Sequence, residues 1–567
     1  MHSVAFLRNV PVFAGLSDEL LEHLAGQVNA VHVRAGAWIM RKGEPADSMF
    51  IVRSGRLEVI EEGPPQALLG VLRRGDVLGE LALLRDETRS ASVRARRDTE
   101  LAELGGAEFR ALIKEAPSFA LGLIGAMADR LAANRASVAA PAPPKSIAVV
   151  GLDPAAPAAE AAATLADAAS LYGPVACLAG GDLAMIDRAE RDAARVVLRG
   201  GNDPTEPWAE LCVREADLVV AVTTGIPAAE WLRRAAALEG CELLILGPSV
   251  ADSTLAELCP REVQVVTRPA QRRQAAELTA RRIAGRALGI VLSGGGARAL
   301  AHLGVVEELR AAGLQLDRVA GVSLGSLVAA MVAAGFSPRK TYETFRRGFV
   351  DTNPSSDFAL PVYSLIRGAK TRRLLHQAFG ERRIEELPLR FFCLSCDLVA
   401  RETVLQRTGP VAEAVYSSLA IPGVFPPIAT DGRLLVDGGV LDNLPVAAMA
   451  RTGEGPVIAV DATGRAGSFR RRERPTIARL SRPVRRLLTG SQAEIPRLGE
   501  TIVRSVAAGS IDTVAAARQH SDFVITPHVE QIGLMDWKAL PRVVELGRRA
   551  VREALEADPE LLSRLGT

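Results

Sequence analysis

The chain has 567 residues, of which 48% are hydrophobic and 24% charged, with 68 Lys and Arg against 66 Asp and Glu. That length has room for about three or four domains of ordinary globular composition, and a net charge of +2 argues against wholesale nucleic-acid binding. Six scattered cysteines and the lack of an opening signal peptide predict a reducing, cytoplasmic setting.

From Pro11 to about Val138 the sequence predicts a small antiparallel β-barrel followed by helix. Short β-rich runs at Trp38, Met49 and Leu57 are separated by Gly36, Gly43, Gly55 and Gly63-Pro-Pro. Gly75-Asp-Val-Leu-Gly79-Glu80-Leu-Ala-Leu-Leu then precedes Thr88-Arg89-Ser90-Ala-Ser-Val93. A helical turn opening at Gly79 offers backbone N–H groups to an anion, Arg89 offers a fork to the same phosphate, and Glu80 can accept from a sugar hydroxyl. These are the parts needed to hold a cyclic nucleotide. The alternative is a degenerate barrel in which Glu80 and Arg89 pair with each other.

Gly36 to Val93 resembles the cyclic nucleotide-binding domains of the catabolite activator protein and protein kinase A type, with the phosphate cassette matched at Gly79, Glu80, Leu81, Ala82, Arg89, Ser90 and Val93. The resemblance implies a jelly-roll fold and a regulatory ligand. The family usually has alanine after the arginine in cAMP binders and threonine in cGMP binders. Ser90 leaves the choice open, with cAMP favoured over cGMP.

Ala139-Ala-Pro-Ala-Pro-Pro-Lys145 reads as a stiff linker. Six apolar runs beginning near Ile147, Val175, Arg195, Asp217, Glu242 and Val263 alternate with Ala-rich helical stretches, which predicts a parallel α/β domain over 146–268. No Gly-rich phosphate loop follows its first strand, so the domain is read as structural or as a relay. A helical linker is expected over 269–286.

The third unit, 287–567 with its core at 288–450, opens with a strand ending in Ser293-Gly294-Gly295-Gly296-Ala297-Arg298-Ala299. Gly294, Gly296 and Ala299 fit a dinucleotide fingerprint, which expects an acid at the end of the next strand. That strand, Val319 to Val322, ends instead in Ser323, within Gly321-Val-Ser323-Leu-Gly325. Glycines two residues either side of a serine at a strand-to-helix turn predict a nucleophile elbow. The glycine loop beside it is then an oxyanion hole, its N–H groups at a helix start facing developing negative charge. Val319 to Pro338 holds no charge for twenty residues. A buried helix explains it better than a membrane span, because two periods meet around the Gly-Ser-Gly turn and aromatic anchors are missing.

None of the seven histidines sits in a strand-end loop that announces a triad, and His302 reads as packed or capping. Leu434-Leu-Val-Asp437-Gly438-Gly439 is an apolar strand ending in a carboxylate on a glycine turn, so Asp437 is the candidate base, provided a dry site raises its basicity. Cys393 and Cys396 lie three apart on a predicted strand and point to opposite faces, against redox or zinc use. No metal is expected.

From Leu288 to about Ala459 the chain resembles the patatin-like phospholipases. The matched pieces are the glycine loop, the elbow, Ser417-Ser-Leu-Ala-Ile-Pro422-Gly-Val-Phe425-Pro-Pro427 and Asp437-Gly-Gly-Val-Leu-Asp-Asn443-Leu-Pro445. The resemblance implies an α/β hydrolase domain with Ser323 as nucleophile, Asp437 as base, and Gly294, Gly295 and Gly296 as oxyanion hole. Ala299 departs from the family's usual glycine. The order of domains, with Pro207-Trp208, Ala216-Asp217 and Gly533-Leu-Met-Asp-Trp537, resembles neuropathy target esterase and its bacterial relatives over nearly the whole chain.

The combined expectation is a serine esterase of phospholipids or lysophospholipids regulated by a cyclic nucleotide. The alternatives are a nucleotide-responsive lipid-docking scaffold whose hydrolase domain is silent, and an acyltransferase using the same acyl-enzyme. The stretch Arg465 to Arg486, with nine arginines against Glu473, is expected to touch anionic lipid at the inner face of the membrane. Oligomeric state is not legible.

Overall fold

The computed structural model describes residues 4–565 apart from 9, 62–66, 121, 126–142, 248–254, 256, 361, 431 and 465–510. The basic stretch 465–486, most of the expected linker after 138, and the end of the helix before it therefore lie outside the described residues. Two compact units emerge, Met1–Ala284 and Gly285–Thr567.

The first unit begins with the predicted jelly roll: two four-stranded antiparallel sheets, one ordered Asn29–Val33, Thr99–Gly105, Ser48–Ser54, Val77–Leu78, the other Trp38–Met40, Ser92–Ala95, Leu57–Glu61, Ala67–Leu72. Gly36, Gly43 and Gly55 turn between strands at φ +82, +90 and +94, a region closed to most side chains. Helices Asp18–Gln27, whose first turn is capped by Ser17, and Gly106–Glu115 flank the barrel. Phe109 and Phe119 pack there edge to face.

All six predicted parallel strands are present in the second half of this unit, in the order Val175–Leu178, Arg195–Gly201, Ser146–Gly151, Leu218–Thr223, Glu242–Leu246, Glu262–Val266. Their near-continuous burial matches a sheet covered on both faces. Helix Pro269–Ile283, expected as a linker, instead buries Ala275, Ala280 and Ile283 against Ile147 and Val149 of this sheet.

An ion cluster ties the barrel to the parallel domain. Arg56 Nε donates to Asp217 Oδ1 at 3.0 Å and lies 3.8 Å from Glu215, all three largely out of water. Asp217 Oδ2 also accepts from the N–H groups of Lys145 and Ser146, at 2.9 and 3.2 Å. Arg97, fully buried nearby, donates to the Glu239 carbonyl, and burial pushes its pKa down to about 9.

The second unit is an eight-stranded mixed sheet. Its parallel centre runs Arg390–Asp397, Arg318–Gly321, Gly289–Leu292, Val457–Val460, Phe523–Ile525, and antiparallel strands Arg433–Asp437, Ile428–Thr430 and Glu402–Gln406 complete it. Helix Leu324–Ala333 is buried at every position, so its uncharged run is core. Helices Ala301–Ala311 and Leu540–Ala557 cross at Gly304 and Gly547, where a methyl on either would strike the other backbone.

Candidate active site

Ser323 follows strand Arg318–Gly321 after the single residue Val322 and precedes helix Leu324–Ala333, with φ +53 and ψ −131. A non-glycine residue held there is strained, and such strain persists only where the surroundings fix it. The flanking glycines supply the clearance: a Cβ at Gly321 would press on the Gly325 backbone at 2.5 Å, and one at Gly325 would meet the Leu292 and Ser293 carbonyls. Ser323 N–H donates to Ser418 Oγ at 3.1 Å, and the Ser323 carbonyl accepts from Ser326 Oγ at 2.6 Å. The elbow is thereby locked from two directions.

The antiparallel register of Arg433–Asp437 on Arg390–Asp397 sets Asp437 opposite Ser395, two residues past the level at which Cys393 pairs with Gly321. That offset brings the carboxylate to the height of Ser323, near enough for the serine hydroxyl to favour its charged form. Asp437 is 2% exposed and Ser323 7%. Burial drives the Asp437 pKa up to about 6; the Ser323 hydroxyl and the Gly439 N–H, which donates at 2.8 Å, pull it only part of the way back. An acid with that affinity is a far better proton acceptor near neutrality than a free aspartate.

The glycine loop runs alongside, a methyl on Gly294 falling 3.0 Å from Ser323 Cβ. Gly294 departs from the expectation of three free donors, because its N–H is given to Asn443 Oδ1 at 3.1 Å. Gly295 and Gly296 keep N–H groups with no protein acceptor among the described residues. Gly296, at φ +54, leaves no room for a side chain against the Leu534 carbonyl. The same carbonyl accepts from Ala297 N–H at 2.8 Å, and Arg298 Nε donates to the Ile532 carbonyl. The motif read at Gly533 to Trp537 thus contains Leu534, whose carbonyl clamps the loop.

His302 is fully buried on helix Ala301–Ala311, its Nε2 2.8 Å from the Ser293 carbonyl, so that nitrogen carries the proton. Burial pushes its pKa down to about 4, which keeps it neutral as a brace under the loop. His302 was read as packed or capping, and it is packed; Ser418 and Asn443 are supports whose roles sequence reasoning did not assign. Ser418 and Asn443 stand inside quoted motifs, and that was the available signal. Cys393 and Cys396 are free thiols, both buried, and no metal-binding cluster occurs among the described residues.

In the barrel, Gly79 lies at φ +85 with the Arg89 guanidinium 2.5 Å from where its Cβ would be. Arg89 is buried, its Nη1 donating to the Ser48 carbonyl at 2.7 Å and the Gly79 carbonyl at 3.3 Å, while Nη2 lies 3.5 Å from Asp47. Glu80 is buried beside it and Ser90 is exposed. Burial pulls the Arg89 pKa down, and the carboxylates of Asp47, Glu44, Glu103 and Glu80 resist that shift. Gly79, Glu80 and Arg89 are thereby brought together, with Arg89 held by protein carbonyls, while Ser90 beside it in the chain is exposed.

A family model described as Patatin-like phospholipase matches residues 290–450, and one described as Cyclic nucleotide-binding domain matches residues 30–116. An uncharacterized NTE family protein of Mycobacterium tuberculosis is 34% identical over 582 residues, covering 98% of this chain and 97% of its own length. Patatin-like phospholipase domain-containing protein 6 of Homo sapiens is 28% identical over 76% of this chain and 37% of its own length. Its counterpart numbered 7 in Mus musculus is 26% identical over 82% and 41%. The chain belongs to the NTE family.

Proposed function

We propose that the chain is a serine esterase that hydrolyses acyl esters of phospholipids or lysophospholipids through Ser323 and Asp437, with domains at 1–138, 146–268 and 287–567. The observation that carries this reading is the strained Ser323 set level with a buried carboxylate made basic by desolvation. Ser323 Oγ attacks the ester carbonyl carbon as its proton passes to Asp437. The carbonyl oxygen becomes an oxyanion facing the N–H groups of Gly295 and Gly296, with Gly294 supplying clearance. Collapse breaks the bond to the alcohol, which leaves with the proton from Asp437. Water then attacks the acyl-serine, again giving a proton to Asp437, and the fatty acid departs as Ser323 is restored. No residue of this sequence calls for a metal or catalytic cofactor.

Lipid substrates are supported by the patatin-like family and by the relatives' names. A cyclic nucleotide, cAMP before cGMP, is the proposed regulatory ligand of Gly79, Glu80, Arg89 and Ser90. It changes activity only in so far as it binds the active and inactive arrangements unequally. A fluorophosphonate probe tests the esterase: labelling of the wild type, lost in Ser323→Ala, is expected, and an unlabelled wild type with or without cAMP would favour the silent scaffold. Calorimetric titration of cAMP into wild type and Arg89→Ala tests the ligand, with heat expected only from the former.

A further inference from the structure

Residues 357–360 and 362–366 form the two arms of a hairpin in the catalytic unit, apolar and in water towards its turn. Phe358 bridges Ile366, and Ala359 N–H donates to the Leu365 carbonyl at 3.1 Å. Its base is fixed: Ile366 and Ser364 are buried, and the Asp357 carboxylate accepts from the N–H groups of Ala369 and Lys370. Yet Phe358 is 73% exposed, Leu360 83%, Val362 67% and Tyr363 81%. Four large apolar side chains within six residues, held outward by a braced backbone, are an interaction surface and not a frayed loop.

The hairpin stands on the segment that builds the site. Leu365 and Ile366 N–H groups donate to the Gly423 and Val424 carbonyls, at 2.9 and 3.0 Å. A few residues upstream in that same segment, the Ala420 carbonyl accepts from Asp437 N–H and Ser418 Oγ accepts from Ser323 N–H. Five residues of chain, at most about 18 Å, separate Ser418 from Gly423. Past Asp357, whose carboxylate is held by the Ala369 and Lys370 N–H groups, the charges that follow have one sign. From Phe358 to Gly380 the chain carries Arg367, Lys370, Arg372 and Arg373 and no acid. Arg367, Arg372 and Arg373 are exposed without an acidic partner among the described residues, and Arg372 lies over the Tyr416 ring at 4.2 Å.

We propose that the hairpin Phe358–Ile366 seats the catalytic unit on a phospholipid bilayer, its apolar tip entering the acyl boundary while the following arginines meet anionic headgroups. A cationic collar behind an apolar tip matches the two layers of such a surface in order. The surface stands on its own geometry; its service to catalysis, placing lipid esters beside Ser323, rests on the esterase reading.

Vesicle flotation of the full chain in the Ser323→Ala background measures docking without hydrolysis. Vesicles of phosphatidylcholine with phosphatidylglycerol should recover the protein, and Leu360→Asp with Tyr363→Asp should lower partitioning by about tenfold or more. Arg367→Glu with Arg373→Glu should weaken it on these vesicles and little on phosphatidylcholine alone. A Leu360→Trp reporter should shift its emission to the blue on vesicle addition. Equal recovery of the aspartate variant, or an unmoved Trp emission, overturns the proposal and leaves docking to another region such as 465–486. A change of oligomeric mass in the aspartate variant without loss of flotation assigns the face to a second copy instead. Turnover of a water-soluble short-chain ester by chains retaining Ser323 reports separately on the esterase reading.

Discussion

Asp217 and Asp437 are the same residue type, the first mostly and the second fully buried, and the structure moves their pKa values in opposite directions. Burial raises both. At Asp217 the Arg56 guanidinium, the Arg73 charge and the N–H groups of Lys145 and Ser146 outweigh it, and the pKa falls below the ordinary carboxylate value. At Asp437 only two neutral donors answer it, and the pKa climbs to about 6. A paired carboxylate is a strut, whereas one buried without a cation is a base waiting for a proton.

The widest separation between the two is in catalysis. Ser323→Ala or Asp437→Asn should each lower kcat/KM by about ten-thousand-fold, since members of a catalytic unit act together. Asp217→Asn should change it little in a chain that remains folded. The wild-type kcat/KM should also fall as pH drops through about 6, because Asp437 must be unprotonated to accept from Ser323. Initial rates on a soluble ester across pH 4–8 check both statements, and a profile flat through pH 6 would sink the role given to Asp437.

The strut is tested from its cation. Arg56→Met strands Glu215 and Asp217 without their buried partner, a loss of about 3–5 kcal/mol where a buried pair is broken. Hydrogen exchange at the Lys145 and Ser146 amides should accelerate strongly, since both donate to Asp217. Unaltered exchange there would mean that water already reaches the cluster.

Sequence made one of these carboxylates legible and hid the job of the other. Asp437 ends an apolar strand on a glycine turn, a local pattern that places it at a sheet end by itself. Asp217 stood inside a motif carried by resemblance alone, because its partner Arg56 is 161 residues away and no local period records such a pairing. The same limit explains Ser418 and Asn443, which act on backbone N–H groups 95 and 149 residues distant. It also explains Gly294, whose N–H looked free only while Asn443 was not seen beside it. The six strands of the parallel domain were legible because each is a continuous apolar run. In the barrel the runs at Trp38, Met49 and Leu57 were found, while Thr99–Gly105 sets its half-buried Glu100 and Glu103 three apart among fully buried apolar residues, without the two-residue period of a strand, and escaped notice.

The smallest expected effect is the most specific to the comparison. Asp437 has a folded-state pKa near 6 against about 3.9 unfolded, so between those values the folded chain binds the extra proton. Stability therefore falls as pH rises through that window, by up to about 3 kcal/mol once the carboxylate is charged. Asp437→Asn cannot ionise and escapes that cost: the inactive variant should be more stable than wild type at pH 7–8 by about 1–3 kcal/mol, with the gain vanishing near pH 4. For Asp217 the sign reverses. Its lowered pKa contributes stability above the unfolded value that is lost as pH falls, so Asp217→Asn should destabilise at pH 7 and matter least in acid. Denaturant midpoints for the two variants at pH 4 and pH 7.5 decide it, and shifts of the same sign at pH 7.5 would contradict the assignment of one residue as base and the other as strut.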